Sequence, residues 1–417
     1  MRHFVKISLA VLALLSLVSS IAIIGCGDNE PSATKTLKIG WIADLTGSSS
    51  AFMRAGAYPA WEDAIKYANE NDPVAKNVKV EMVYYDGKLD PNLDIQGYDY
   101  LRERGCVLLM SSSTAGQTLK TTVDQAKVFF LSCIATPEAV NPPGWVFCLP
   151  QLQTPPTLTI LNWIAEKDWD YAAKGRKPKI GAVGPDDAYN GELQDAIAAY
   201  CQAHPDQFEV GPMRKTPYSA MEYSAEVAAL KDCDYIFPPT TYTSAFFIQQ
   251  YRAAGYTTAK FVGQEGLTAF LGYIVGQLQG WEGVDGTLVG HGTTWLSETS
   301  DPMVQEMLAR IREYRPTEES TIKTAGSLGY ASGYPNALFT LDLLREALKK
   351  VGGDPDKLTQ QDLYDTAVGF SVDIREGPDW GWSETNRVAC HGLKMYRWDA
   401  SATDLKVVSD WLPIVEE

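Results

Sequence analysis

Positive charge is scarce in this chain. Against 52 Asp+Glu stand only 36 Lys+Arg, and a net charge of −16 with pI near 4.8 suits a phosphate backbone poorly, because binding there needs clustered cations. The composition argues against a nucleic-acid partner. Histidine is rarer still, with four in 417 residues, and the seven cysteines include no C-x-x-C and no Cys/His cluster of zinc-finger spacing. No structural metal site is expected. Also missing are a P-loop, a G-x-G-x-x-G after a strand, an H-E-x-x-H and a G-x-S-x-G elbow; Gly326-Ser327-Leu328-Gly329 is one residue too short for the last. No cofactor is therefore expected, and the chain does not read as an enzyme. Any Ser/His/Asp arrangement would have to use His291 in Gly290-His291-Gly292, and nothing in the spacing demands one. What is abundant is core: 45% hydrophobic and 11% aromatic residues, in a length that suggests two or three domains of roughly 150 residues.

The first residues stand apart from the fold. Arg2 and Lys6 make a positive start, residues 7–24 are uncharged and apolar, and the run ends at Ile23-Ile24-Gly25-Cys26. Such a segment is an export signal or a membrane anchor. A small residue before Cys, followed at once by the polar 28–35 stretch, looks like the lipobox of bacterial lipoproteins, in which Cys26 becomes the lipidated first residue. The alternative is a plain transmembrane anchor. With a lipobox, residues 1–25 are a signal peptide and 26–36 a flexible tether, and losing Arg2 and Lys6 deepens the net charge from −16 to −18. Location is then outside the bacterial cytoplasmic membrane, on its periplasmic or extracellular face. Six cysteines remain, at 106, 133, 148, 201, 233 and 390. In an oxidising compartment some can pair, and their strand-like surroundings equally suit small buried hydrophobes.

From residue 37 the chain alternates apolar strand-like runs with helical spacing. A first series has strands at 37–45, 78–86, 106–111, 128–133 and 145–149, with helices at 52–69, 90–104 and 115–126. A second runs strand 179–184, helix 188–203, strand 208–214, helix 220–231, strand 233–237, helix 242–254, strand 260–264, helix 267–279 and strand 286–290. Strands separated by helices pair in parallel through crossovers, so each series predicts a doubly wound α/β sheet. In 327–351 Tyr330, Tyr334, Ala337, Leu338, Leu341, Leu344 and Leu348 make one apolar helical stripe. Three β-like runs follow residue 369. The expected division is 37–153 plus 290–368 for the first lobe and 154–289 plus 369–417 for the second, with crossovers near 150, 290 and 368.

Open α/β sheets bind ligands at the carboxyl ends of their strands. There the chain places Ser111-Ser112-Ser113-Thr114, Ser132-Cys133-Ile134-Ala135-Thr136, Asp186-Asp187-Ala188-Tyr189 and Gln264-Glu265-Gly266. Hydroxyls and N–H groups entering a helix form an anion site, and equally form ordinary caps. Glu265 could pair an ammonium or be a solvated loop acid.

The order of these residues resembles the branched-chain amino acid binding proteins of ABC importers, in the type I periplasmic-binding-protein family. It is carried by residues 39–47, Asp86 and Asp90-Pro91, the serine run, Ala135-Thr136, Asp187-x-Tyr189-x-Gly191, Tyr251-x-x-x-Gly255, Gln264-Glu265-Gly266 and Gly329-Tyr330. The resemblance implies two Rossmann-like lobes joined by a multi-crossover hinge. It also implies an amino-acid-like ligand, permease subunits as partners, a membrane reached only through lipid, and a monomer. By the same resemblance the ligand carboxylate maps to Ser112, Ser113, Ala135 and Thr136, the ammonium to Glu265, and the aromatic cover to Phe52, Tyr189 and Tyr242. The departures are the glycine-free run 238–242, six prolines in 137–160 and a Trp-rich tail. They leave room for an amide, urea or an aromatic or short carboxylic acid as ligand, or for the receptor of a sensor system.

Overall fold

Leu37, Ile39 and Trp41 alternate with Gly40 and Ile42 along β1 (Lys35–Ala43), and both sets are buried, as a central parallel strand requires. This belongs to a computed structural model that describes residues 33–149, 152–373 and 377–415. The signal segment and Cys26 lie outside the described residues. After β1 come a helical turn (Ser50–Phe52), a wide π turn (Met53–Ala57) and α1 (Tyr58–Asn71). Then follow β2 (Val78–Asp86), α2 (Pro91–Glu103), β3 (Leu108–Ser111), α3 (Ala115–Ala126), β4 (Phe130–Ser132) and β5 (Val146–Cys148). They form one sheet in the order β2-β1-β3-β4-β5, with β1, β3, β4 and β5 paired in parallel.

The second series opens with α4 (Thr154–Trp163) and β6 (Lys179–Pro185), then α5 (Ala188–Ala203) and β7 (Glu209–Thr216). It continues through α6 (Ser224–Leu230), β8 (Tyr235–Phe237), α7 (Ser244–Ala253), β9 (Lys260–Gln264), α8 (Leu271–Leu278) and β10 (Leu288–His291). Its parallel strands lie in the order β7-β6-β8-β9-β10. Counted from the start of each series this is the order 2-1-3-4-5 again, so each sheet reverses direction beside its first strand and opens a crevice there. The sequence expectation of two doubly wound lobes is what the chain forms.

Helices α9 (Pro302–Tyr314), α10 (Ser327–Lys350) and α11 (Gln360–Ala367) return to the first sheet. The predicted stripe on α10 joins the core that holds Trp41, Trp61 and Leu108. Helix α10 crosses the π turn closely: a Cβ on Gly56 would stand 2.1 Å from the carbonyl oxygen of Gly326. Only glycine fits there.

The tail divides between the lobes. β11 (Ser371–Val372) pairs with β12 (Trp380–Gly381), and Phe370, Trp380 and Trp382 fill the first core. By contrast β13 (Gly392–Asp399), β14 (Asp404–Val407) and β15 (Leu412–Pro413) extend the second sheet, β13 lying antiparallel on β10. The chain thus passes between cores after Cys148 and after His291, and a third time between Ala389 and Gly392. That third passage falls later than the 368 expected, because the aromatic side chains of the intervening segment complete the first core. Just before it, Val388 bridges Cys148 in parallel, so the tail touches the edge strand of each sheet.

No described helix is long and apolar enough to cross a membrane.

Candidate functional site

Strand ends and helices of both lobes surround a cavity of about 200 Å³ between them. Its wall takes Trp41 from β1, Phe52 from the turn before α1, Trp61 from α1, Ser112 after β3, and Cys133 and Ile134 after β4. The second lobe supplies Tyr189, Gln264, Glu265 and Gly292, while Ser332 and Asn336 reach it from α10 and Trp380 from the tail. Among the described residues no Lys, Arg or His side chain lines it.

The serine run splits by strand parity. Ser112 faces the cavity side, where its hydroxyl accepts a 2.7 Å hydrogen bond from the Trp41 indole N–H. Ser111 and Ser113 point the other way: their hydroxyls lie 2.9 Å apart, Ser113 donates to Asp94 at 3.1 Å, and it accepts from the Ala115 N–H at 3.1 Å. Ser113 therefore organises the start of α3 from behind the site. Asp94 is fully buried with one oxygen unpartnered, and burial pushes its carboxyl up to about 6.

On the second lobe, Asp187 caps α5 by accepting from the Asn190 N–H at 2.8 Å. This sets Tyr189 in the first turn, against the cavity. Burial, with Glu192 and Glu265 nearby, raises its phenol pKa, so the hydroxyl keeps its proton. Glu265 begins the short turn Glu265–Thr268 directly after β9 and accepts a 2.8 Å bond from the Gly292 N–H. Burial lifts its carboxyl from 4.5 to about 6, against the opposing pull of that one backbone donor.

Of the eight ligand residues expected from the sequence, Phe52, Ser112, Tyr189 and Glu265 line the cavity together. Ser113 lies behind it. Ala135 and Thr136 are buried beneath it, next to the lining pair Cys133 and Ile134, and the Thr136 hydroxyl has no partner. Tyr242 stands apart, its ring 6.2 Å from that of Tyr273 at the outer edge. The sequence did not single out Trp41, Trp61, Trp380 or Asn336. Each sits on an apolar stripe or strand that reads as core.

His291 is buried behind the wall, with its Nε2 2.9 Å from the Thr268 hydroxyl and its Nδ1 unpartnered. Burial pushes its pKa down to about 3. A nucleophilic triad would need a carboxylate on Nδ1, and none is placed there. Cys106, Cys133, Cys201 and Cys233 are free thiols. Burial pushes the Cys133 thiol up to about 12, far from a reactive thiolate. Among the described residues no group of three or more His, Cys, Asp and Glu is arranged to hold a metal.

Comparison with known proteins agrees with this geometry. The family described as periplasmic binding protein matches residues 36–403. A branched chain amino acid ABC transporter structure from Thermus thermophilus with bound valine is 15% identical with a TM-score of 0.72, over 91% of this chain and 97% of that one. A possible leucine/isoleucine/valine-binding protein from Rhodopirellula baltica is 15% identical with a TM-score of 0.73, over 92% and 98%. An R. palustris solute binding protein in complex with 4-hydroxybenzoate is 15% identical with a TM-score of 0.70, over 92% and 98%. Among curated proteins none matches. With a family match over nearly the whole described chain and a cavity walled by both lobes, the chain belongs to the periplasmic binding protein family.

Proposed function

We propose that this protein is an extracytoplasmic solute-binding lipoprotein, tethered through Cys26, that captures a small amine-bearing, amino-acid-like solute and delivers it to the permease of an ABC importer. The observation that carries the reading is Glu265. Among the described residues it is the one charged side chain on the wall of an otherwise neutral, largely aromatic cavity, and a single backbone N–H holds it. A carboxylate in that setting is costly unless a cation meets it. A solute ammonium supplies that cation, and its apolar part lies against Trp41, Phe52 and Tyr189.

Binding and closure are one event in this reading. Ser112 belongs to one lobe and Glu265 to the other, so a solute touching both stabilises the arrangement in which the lobes meet. A permease that recognises that arrangement takes up loaded protein in preference to empty protein. The family supports the location, and the Thermus thermophilus structure supports the class of solute.

A second reading, a carboxylic acid without an amine, is favoured by the R. palustris structure and its 4-hydroxybenzoate. A thermal-shift screen against amino acids, amides and carboxylates separates the two, since a ligand that binds only the native state raises the melting temperature. Amino acids or amines should shift it. A shift with simple carboxylates alone would sink the first reading.

A further inference from the structure

One side chain carried by the first lobe is buried in the core of the second. Along α10, Tyr330, Ala331 and Tyr334 pack into the first core with Trp41 and Trp61. Leu328, in the first turn of the same helix, instead belongs to the core that holds Ile248, Phe261, Leu271 and Val289, and it is only 5% exposed. Phe52, on the cavity wall with Leu328, packs against both cores. Just before α10, Ala325 meets α8 of the second lobe: a Cβ on Gly272 would stand 3.6 Å from the Ala325 Cα and 3.7 Å from its Cβ. Gly272 and Ala325 are solvent-exposed and do not line the cavity, so they mark the outer rim of this seam.

Leu328 is presented rigidly by its own lobe. A Cβ on Gly326 would stand 2.1 Å from the Ala55 carbonyl oxygen, and one on Gly329 2.7 Å from the Ala57 nitrogen. The head of α10 therefore presses backbone to backbone on the π turn, with no side chain between to give way. A group fixed before contact loses little freedom on seating. The seat itself is apolar, and burying one leucine side chain shifts an equilibrium by on the order of ten- to a hundredfold. Parting the lobes returns Leu328 to water and forfeits that gain.

We propose that Leu328 is a positioning residue, an apolar latch whose seat in the second-lobe core holds the lobes together and sets their open-closed balance before any solute is bound. The inference rests on the reading that the lobes close over a solute, and it adds the group that governs that motion. A solute's apparent affinity scales with the fraction of protein already able to close, so the seam tunes affinity separately from the polar contacts on the wall.

Two rates measured on the purified protein without added solute test it. Cys133 is a free thiol on the cavity wall, which N-ethylmaleimide reaches when the lobes part. A Gly272→Cys/Ala325→Cys pair, with its Cβ atoms in disulfide range, oxidises when they meet. Leu328→Asn, close to leucine in size, should shift the balance toward open by on the order of tenfold. Cys133 labelling, followed by peptide mass, then speeds up if the empty protein is mostly closed, and oxidation of the pair slows if it is mostly open. Leu328→Ala should act in the same direction and Leu328→Met should restore both rates. A lower melting temperature with both rates unchanged makes Leu328 a packing residue and overturns the proposal, as does a pair that never oxidises. If the oxidised pair protects Cys133 while Leu328→Asn changes neither rate, the latch fails and the proposed function stands. If the oxidised pair leaves Cys133 labelling at the wild-type rate, the lobes do not close over the cavity and both fail.

Discussion

The two arms of the cavity each hold a carboxyl raised to about 6, Asp94 fully buried and Glu265 half-buried, and the two are held in opposite ways. Asp94 sits behind the serine run, where Ser113 donates to it and no ligand can reach it. Glu265 stands on the wall, its one bond coming from the backbone across a loop. The first arm is a run of hydrogen-bonded side chains behind the wall that fixes the start of α3, with one Asp94 oxygen left unpartnered. The second carries a desolvation cost that only a ligand can offset, so the two lobes divide rigidity and driving force between them.

Four measurements can break or sharpen that division. The largest effect is expected for Glu265→Gln on affinity: removing one partner of a buried charge pair should weaken amine binding by about 3 kcal/mol, read by calorimetry. An unchanged affinity would remove Glu265 from the site. Next comes Ser112→Ala, which strands the Trp41 indole N–H in the core and should lower unfolding stability by about 2 kcal/mol in a urea titration. If that variant lost affinity with no loss of stability, Ser112 would serve the ligand alone and not hold Trp41 in place.

The third expectation concerns the empty protein and has the opposite sign. Because the folded-state pKa of Glu265 is raised from 4.5 to about 6, the folded protein binds more protons than the unfolded chain between those values. Stability should therefore fall as pH rises through that window and stay low above it. Glu265→Gln should lift this penalty, making the unligated variant more stable at neutral pH by up to about 2 kcal/mol, with the gain vanishing below pH 4.5. Thermal melts across pH, wild type against variant, give the difference. The smallest effect belongs to Tyr242→Ala, which should change affinity by less than about 0.5 kcal/mol, whereas Tyr189→Ala should weaken it clearly.

Much of the fold was legible because periodicity is strong where elements are buried on one face, as in α10, or on both, as in β1. Helix α4 was not. No element was assigned to its segment, where Pro155 and Pro156 are two of six prolines, yet they occupy the first turn, where proline lacks no needed hydrogen bond. Within the site, Glu265, Tyr189, Phe52 and Ser112 were visible as polar or aromatic residues at strand ends and through the family resemblance. The choice between Ser112 and Ser113 was also open to reading: Met110 and Ser112 continue one face of β3, Leu109, Ser111 and Ser113 the other. Trp41, Trp61 and Trp380 were hidden for a physical reason, since a cavity wall built from core aromatics has the same pattern as the core itself.

The strip of chain from Val388 to Pro413 caps β5 of one sheet by a bridge to Cys148 and runs along β10 of the other. A sheet edge without a partner is a template for wrong pairing. One strip of chain thus meets the far edge of the parallel strands in each lobe. Removing residues from 388 onward would leave two sticky edges at once, one on each lobe.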